Sequence, residues 1–560
     1  MKPQPPPPKT YSDVEIVRLV WLAIFVSVFS FLFYNRNGAV LLYGDAVAHI
    51  NIARRVFDSK TPGLLQLGTV WLPLPHLLIL PFIVSKQMWQ SGSGASIPSM
   101  AAYVLGTLGI FRLARSALTR DGEVRAAARV LPWAAALIYC VNPNLIYMQA
   151  TAMGESLYLA LFIWSVVYFA DFARGGEKSS RALTKCGVCL AAACLTRYDG
   201  WFLAALMVVG AAVISFRRKQ PSPDAALAGS TSASRIQLFK FVLIAASAPV
   251  LWLAYNAAIY RNPLEFATGP YSAHAIEQQT ATVNPARNNL SAAVSYFLKS
   301  AELNLADSNW AGRLWLALAL LGSVGAGFSL QNRIALWLWT PLPFYALSIA
   351  YGSIPIFLPT WWPFSYYNVR YGLQLLPAFA VFVPLGIFAI VDSAAKSARL
   401  AALLARREGP IVLLCLVALT GASYSAIWRA DPICYREAAI NSRPRVALDQ
   451  QVANWIKSLP ADSTLLMYLG EHVGALQQAG IPLGRVINEG NHRVWKQPAD
   501  AEGLWERALA DPAAHADYVV GFDGDPVWQA AQDHHLTALV EIHTTGQPRA
   551  AIFRANQSQR

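Results

Sequence analysis

Four ionisable side chains stand at the edges of long apolar runs in this chain: Asp45, Glu155, Arg197 and Arg370. Asp45 lies in Tyr43-Gly44-Asp45-Ala46-Val47-Ala48-His49, just past the apolar stretch from Val17 to Tyr34. His49, four residues on, shares a face with it if the segment is helical. Glu155 closes the stretch that opens with Asn142-Pro143. Arg197 and Asp199 occupy the short turn Leu195-Thr196-Arg197-Tyr198-Asp199-Gly200-Trp201, and Arg370-Tyr371 opens a later run. A carboxylate can take the proton of an attacking hydroxyl. A guanidinium can hold two phosphate oxygens at once and never loses its charge. Together these types suit displacement of a phosphate leaving group by a hydroxyl acceptor, with Asp45 as base and Arg370 on the phosphate. Plainer readings stand beside this one. Asp45 is also an ordinary helix-ending acid, Arg197 and Asp199 neutralise one another, and Glu155 either orients an acceptor or pairs with Arg197. Ionisable groups at membrane depth are costly, so several at one boundary favour function.

The elements that must hold these groups follow from composition. Of 560 residues, 55% are hydrophobic and only 14% are charged, where a soluble chain carries about a quarter. The net charge of +13 does not mark a nucleic-acid binder. The basic residues fall in short clusters between apolar runs, as in cytoplasmic loops of a membrane protein. The six cysteines lie mostly inside apolar runs, and Cys186-Gly187-Val188-Cys189 reads as packing.

Runs near 17–34, 97–114, 126–142, 156–173, 183–197, 200–216, 237–259, 311–328, 333–350, 371–392 and 409–427 give about eleven spans of a polytopic α-helical membrane protein. Lys2, Lys9 and Arg18 place the N-terminus in the cytoplasm, after a Pro-rich tail (1–16). The stretch 71–84 is short, carries three prolines and reads as an interfacial helix, because a crossing there would put the basic loop around Arg112–Arg129 outside. The region 17–428 is then the membrane domain, with outer loops 35–96 and 260–310. The second loop, at about 50 residues, is long enough for a lid. Residues 221–234 read as a flexible linker.

After Trp428 the chain turns polar. Residues 429–560 alternate helix and strand, which predicts a small soluble α/β domain on the non-cytoplasmic side. His534-His535 lacks the spacing of a metal site. Because every boundary acid and arginine falls within 45–371, this domain is expected to matter less to chemistry than the membrane core.

The ordered set of an early acid in the first outer loop, the Leu72-Pro73-Leu74-Pro75-His76 helix, Asn142-Pro143 leading to Glu155, Leu195-Thr196-Arg197 and Arg370-Tyr371 resembles GT-C-fold glycosyltransferases. It is most similar to the bacterial protein O-mannosyltransferase-like and aminoarabinose-transferase-like branches, over roughly residues 15–400. The resemblance implies an inverting transfer of a sugar from a polyprenyl-phosphate donor to a protein, lipid or glycan acceptor, on the outer face of a bacterial inner membrane. It implies Asp45 and Glu155 as catalytic residues, and His49, Arg197, Asp199, Arg370 and Tyr371 as substrate ligands. No cofactor is required. Many relatives carry Asp-Glu where this chain has Asp45-Ala46, which leaves acceptor type and any divalent metal open. The rival reading, a secondary transporter or lipid-sugar flippase, expects broken helices at the bilayer midplane and internal repeats; no repeat is evident.

Overall fold

The computed structural model describes residues 13–118, 126–176, 178–217, 230–280, 283–327, 333–395, 408–470, 472–491 and 502–555. The Pro-rich tail with Lys2 and Lys9, most of the 221–234 linker and the basic cluster at 396–407 lie outside the described residues. Among the described residues, nine segments are long and apolar enough to cross a membrane. A tenth arises if Val130–Cys140 and Pro143–Gln149, bent by 58°, count as one. The expected span at 183–197 is helix α9 (Ser179–Cys194), only 16 residues long. The stretch 71–84 breaks into helix α3 (Leu74–Ile79) and a 3-10 turn (Leu80–Phe82), neither long enough to span.

The bundle is tightest where side chains vanish. Helices α15 (Asn309–Gly327) and α17 (Leu376–Ala395) pack along a glycine seam. A Cβ on Gly322 would stand 2.0 Å from the Phe382 carbonyl oxygen, and one on Gly386 would stand 2.2 Å from that of Leu318. Close backbone approach through small residues is how helices associate where lipid supplies no hydrophobic drive.

The described part of the loop at 260–310 is helical through much of its length. It forms two short helices, Glu265–Thr268 and Ala273–Thr280, and then α14 (Leu290–Leu303). The α14 helix is amphipathic and lays Phe297, wholly buried, flat against Tyr345 at 4.7 Å between ring centroids. It is part of the floor beneath the boundary charges.

The C-terminal region is an α/β domain with a five-stranded sheet, order β2-β1-β3-β5-β4. Strands β1 (Leu465–Met467), β2 (Val486–Ile487) and β3 (Tyr518–Phe522) are parallel; β4 (Thr537–Ile542) and β5 (Ala550–Arg554) run antiparallel. Alternation sorts the faces. Leu465, Met467, Val520 and Ile552 join the core that runs on into the membrane bundle, whereas Leu466, Val519, Ala551 and Phe553 build a second core with Trp505 and Trp528. Strand β2 was not expected from the sequence. A long helix, Ile433–Lys457, leads into this domain, with two residues between it and the last apolar helix (Glu408–Ala430).

This domain is clamped to the first loop. Asn51, on helix α2 (Gly44–Arg55), donates to Gln477 Oε1 at 2.8 Å, and Gln477 donates to the Trp89 carbonyl at 2.8 Å. Trp89 Nε1 returns to Asn51 Oδ1 at 3.0 Å, closing a buried ring of neutral polar groups. Arg445 adds a bond to the Leu42 carbonyl at 3.0 Å, and Asn491 bonds Ser59 and Thr61.

Candidate active site

Each charged side chain is delivered by a helix end. Asp45 sits in the first turn of α2, and Glu155 opens α8 (Glu155–Arg174), so both carboxylates face the positive end of a helix dipole. Arg370 lies in a 3-10 helix, Val369–Leu375, entered through Asn368 at φ +58, a left-handed conformation that asparagine tolerates. Gly372 lets this segment press on α14: a Cβ there would stand 2.4 Å from the Ser300 carbonyl carbon. The Asn142-Pro143-Asn144 motif serves as scaffold. Asn142 caps helix α7 (Pro143–Gln149) and also donates to the Asn304 carbonyl at 2.9 Å, while Asn304 Nδ2 donates to the Val369 carbonyl at 2.9 Å.

These elements bring six of the seven expected residues into one network. Arg370 is its centre. Its Nη2 meets Asp45 Oδ2 at 2.6 Å, its Nε meets Glu155 Oε1 at 3.3 Å, and its Nη1 meets Glu437 Oε1 at 3.0 Å. Arg197 shares Glu155 at 3.4 Å and pairs with Asp199 at 3.4 Å. Tyr345 bridges that second pair, accepting from Arg197 at 2.8 Å and donating to Asp199 at 3.1 Å. The ring of Tyr371 lies between the guanidiniums, 5.2 Å from Arg370 and 5.0 Å from Arg197. Both pairings read for Glu155 and Arg197 therefore occur together.

Exposure divides the carboxylates. The side chains of Glu155 and Glu437 are each 1% exposed and that of Asp45 is 39% exposed, with Arg370 at 10%. Arg370 is thus anchored from the buried side and presents Asp45 to the open side. All three guanidinium nitrogens that face carboxylates are committed, so a phosphate reaching Arg370 would have to displace one of them.

His49 stands apart from this network. Its Nδ1 is 2.8 Å from Nε2 of His76, and its ring leans on Trp71 at 4.9 Å. Burial pushes the proton affinity of both imidazoles down from the ordinary value of 6.5, further for His76, which also feels His49. The pair is neutral and shares one N–H. Among the described residues, no three His, Cys, Asp or Glu side chains are grouped to share a metal ion.

Glu437 is the residue that sequence reasoning missed. It lies in the helix Ile433–Lys457, beyond the membrane region and among Arg429, Asp431, Arg436, Arg443 and Arg445, where one more charge reads as solvated surface. Its Oε2 accepts from the Val369 N–H at 2.7 Å and its Oε1 from Tyr43 at 3.3 Å. The expectation that the boundary charges end at residue 371 is corrected by this contact, and the C-terminal domain supplies part of the site.

No family model and no curated protein matches the chain. In three dimensions it is similar to ArnT from Cupriavidus metallidurans. The structure of ArnT bound to undecaprenyl phosphate aligns with a TM-score of 0.55 at 14% identity, covering 98% of this chain and 99% of that one. The apo state of ArnT gives 0.53 at 13% identity, over 96% and 97% of the two chains. The oligosaccharyltransferase of Archaeoglobus fulgidus tethered to an acceptor peptide gives 0.46 at 12% identity, over 91% and 69%. The architecture is the GT-C fold, extended by the C-terminal domain over the full length of ArnT.

Proposed function

We propose that this protein is a membrane glycosyltransferase that moves a sugar from a polyprenyl-phosphate donor to a protein, lipid or glycan acceptor. The observation that carries the reading is the half-exposed Asp45 carboxylate held 2.6 Å from Arg370 at one end of the bundle. An open acid and a guanidinium side by side are the base and the anion ligand that such a transfer needs. The full-length likeness to ArnT supports the reading as an analogy of fold.

In the proposed reaction Asp45 takes the proton of the acceptor nucleophile as its lone pair attacks the anomeric carbon. The new bond to that carbon forms as its bond to the phosphate oxygen breaks, and the polyprenyl phosphate leaves with the electron pair. A single displacement inverts the anomeric centre. Arg370 receives the charge that grows on the phosphate: an incoming phosphate oxygen takes the Nη2 position from Asp45, the exposed partner, while Glu155 and Glu437 keep the guanidinium in place. Donor binding thereby frees the base. Arg197, Asp199 and Tyr371 brace the far side of Glu155 and Arg370, and His49 stands on the same helix as Asp45 as a neutral substrate contact.

The charge sorting of the loops supports an N-terminus in the cytoplasm and a site and C-terminal domain on the outer side of a bacterial inner membrane. The test compares envelope glycans and glycoproteins by mass spectrometry in cells with and without the protein, and with Asp45→Asn. Loss of one glycan in both strains identifies sugar and acceptor. Unchanged glycans, together with no release of undecaprenyl phosphate from any undecaprenyl-phosphate sugar offered to the purified protein, would exclude the reading.

A further inference from the structure

We propose that Glu437 is a positioning residue that holds Arg370 from the buried side and offsets its charge, so that Asp45 remains a competent proton acceptor beside that cation. The inference rests on the reading of Asp45 as the base. A carboxylate in contact with an unshared guanidinium is held in its ionised form and surrenders basicity, by about 1–3 pH units for a partner within 4–6 Å. Such an acid would be a poor base. Here the guanidinium is divided among three carboxylates, and two of them are buried where opposing charges act strongly.

Glu437 is the better placed of the two buried acids for this role. Glu155 divides its Oε1 between Arg370 and Arg197, so its charge is partly spent elsewhere. Glu437 meets one cation, Arg370, and is otherwise held by neutral donors, the Val369 N–H and the Tyr43 hydroxyl. Tyr43 shares its one proton between Glu437 and the Cys434 carbonyl, 2.9 Å away in the same helix as Glu437. The residue preceding α2, the residue preceding Arg370 and the first turn of the C-terminal helix are thereby tied to one carboxylate. Because that helix belongs to the domain clamped on α2 through Gln477, docking of the domain and charge balance at Asp45 are set by the same element.

The other groups around the pair are few. Asp45 is faced by Arg370, His49, Tyr367 and Tyr371. Glu437 is faced by Arg370, Tyr43, Cys434, Tyr147 and Tyr367; burial raises its proton affinity, and Arg370, the Val369 N–H and Tyr43 oppose that rise. Burial keeps His49 neutral and pushes Tyr43 far above the phenol range. Phenols and thiols do not ordinarily titrate below neutral pH, so the carboxylates and Arg197 and Arg370 set the field.

The experiment needs no substrate. Carbodiimides modify protonated carboxyl groups, and Asp45 is the exposed acid of the cluster. Full-length protein in detergent is treated with a water-soluble carbodiimide and glycine ethyl ester across a pH series, and the Asp45 peptide is followed by mass spectrometry. Removing the Glu437 charge with Glu437→Gln should lower the pH midpoint of Asp45 labelling by about one unit. Glu437→Asp keeps the charge but draws it back by one methylene, and should lower the midpoint by less. A merely structural role would not move the midpoint in a variant that keeps its thermal unfolding temperature. An unmoved or raised midpoint in folded Glu437→Gln overturns the proposal. If that variant does not fold, a midpoint at or above wild type in Glu437→Asp does so. The reading of Asp45 as base fails separately, if Asp45→Asn retains sugar transfer.

Discussion

Asp45 and Arg370 meet at 2.6 Å across 325 residues of chain, and the acid of the pair is the exposed member. If Asp45 is the base, Asp45→Asn preserves shape and one hydrogen bond to Arg370 but cannot accept a proton. Turnover of an undecaprenyl-phosphate sugar should fall on the order of 10²–10⁴-fold. Undecaprenyl phosphate should bind at least as well as to wild type, because its competitor for Arg370 is weakened. Normal turnover by folded protein would remove Asp45 from the mechanism.

Arg370→Lys should behave differently. A point charge cannot meet three carboxylates as the planar fork does. Both undecaprenyl phosphate affinity and turnover should weaken. Two of the acids that lose a hydrogen bond are buried, so stability should also fall by about 1–3 kcal/mol. Denaturation and binding measured on the same preparation check this, and a stable variant with wild-type affinity would contradict it.

The buried ring of Asn51, Gln477 and Trp89 joins the C-terminal domain to the helix that carries Asp45. Gln477→Ala leaves the Asn51 amide and the Trp89 carbonyl without their partner. The expected cost is about 1–3 kcal/mol, read as a lower thermal unfolding midpoint. An unchanged midpoint would show that the ring does not hold the two parts together.

The histidine pair predicts a pH dependence with a definite sign. Both imidazoles bind protons less readily in the folded protein than the ordinary value of 6.5. Below about 6.5 the unfolded chain therefore holds more protons than the native one, and stability should fall as the pH drops. His76→Phe should flatten this slope. A thermal unfolding series from neutral to mildly acidic pH decides it: equal slopes in the two proteins would rule the pair out.

Sidedness can be read by cysteine labelling at exposed positions. Lys60→Cys and Ala267→Cys, in the two loops beside the site, should react from outside intact cells. Lys178→Cys, between α8 and α9 at the far end, should react only after permeabilisation. Reversed labelling would invert the proposed orientation.

What the sequence determined by itself was the membrane class, most of the spans and the candidates Asp45, Glu155, Arg197, Asp199 and Arg370. The reason is energetic: an ionised group beside an apolar run is costly enough to stand out without any knowledge of its partner. The tertiary structure alone decided which charges meet. Arg370 could have faced phosphate or acid, and only the packing of α2, α8 and the helix Ile433–Lys457 around the 3-10 segment after Asn368 shows three carboxylates about it. Glu437 was illegible because it sits in a charged helix, where burial by a distant loop leaves no local signal. The same holds for Asn51 and Gln477: neutral amides look alike in solvent and in a buried ring, and long-range hydrogen bonding has no sequence period. The helix at 290–303 was hidden for a related reason. Its stable face is made by contact with Tyr345 and Gly372, residues that follow it by about fifty positions or more.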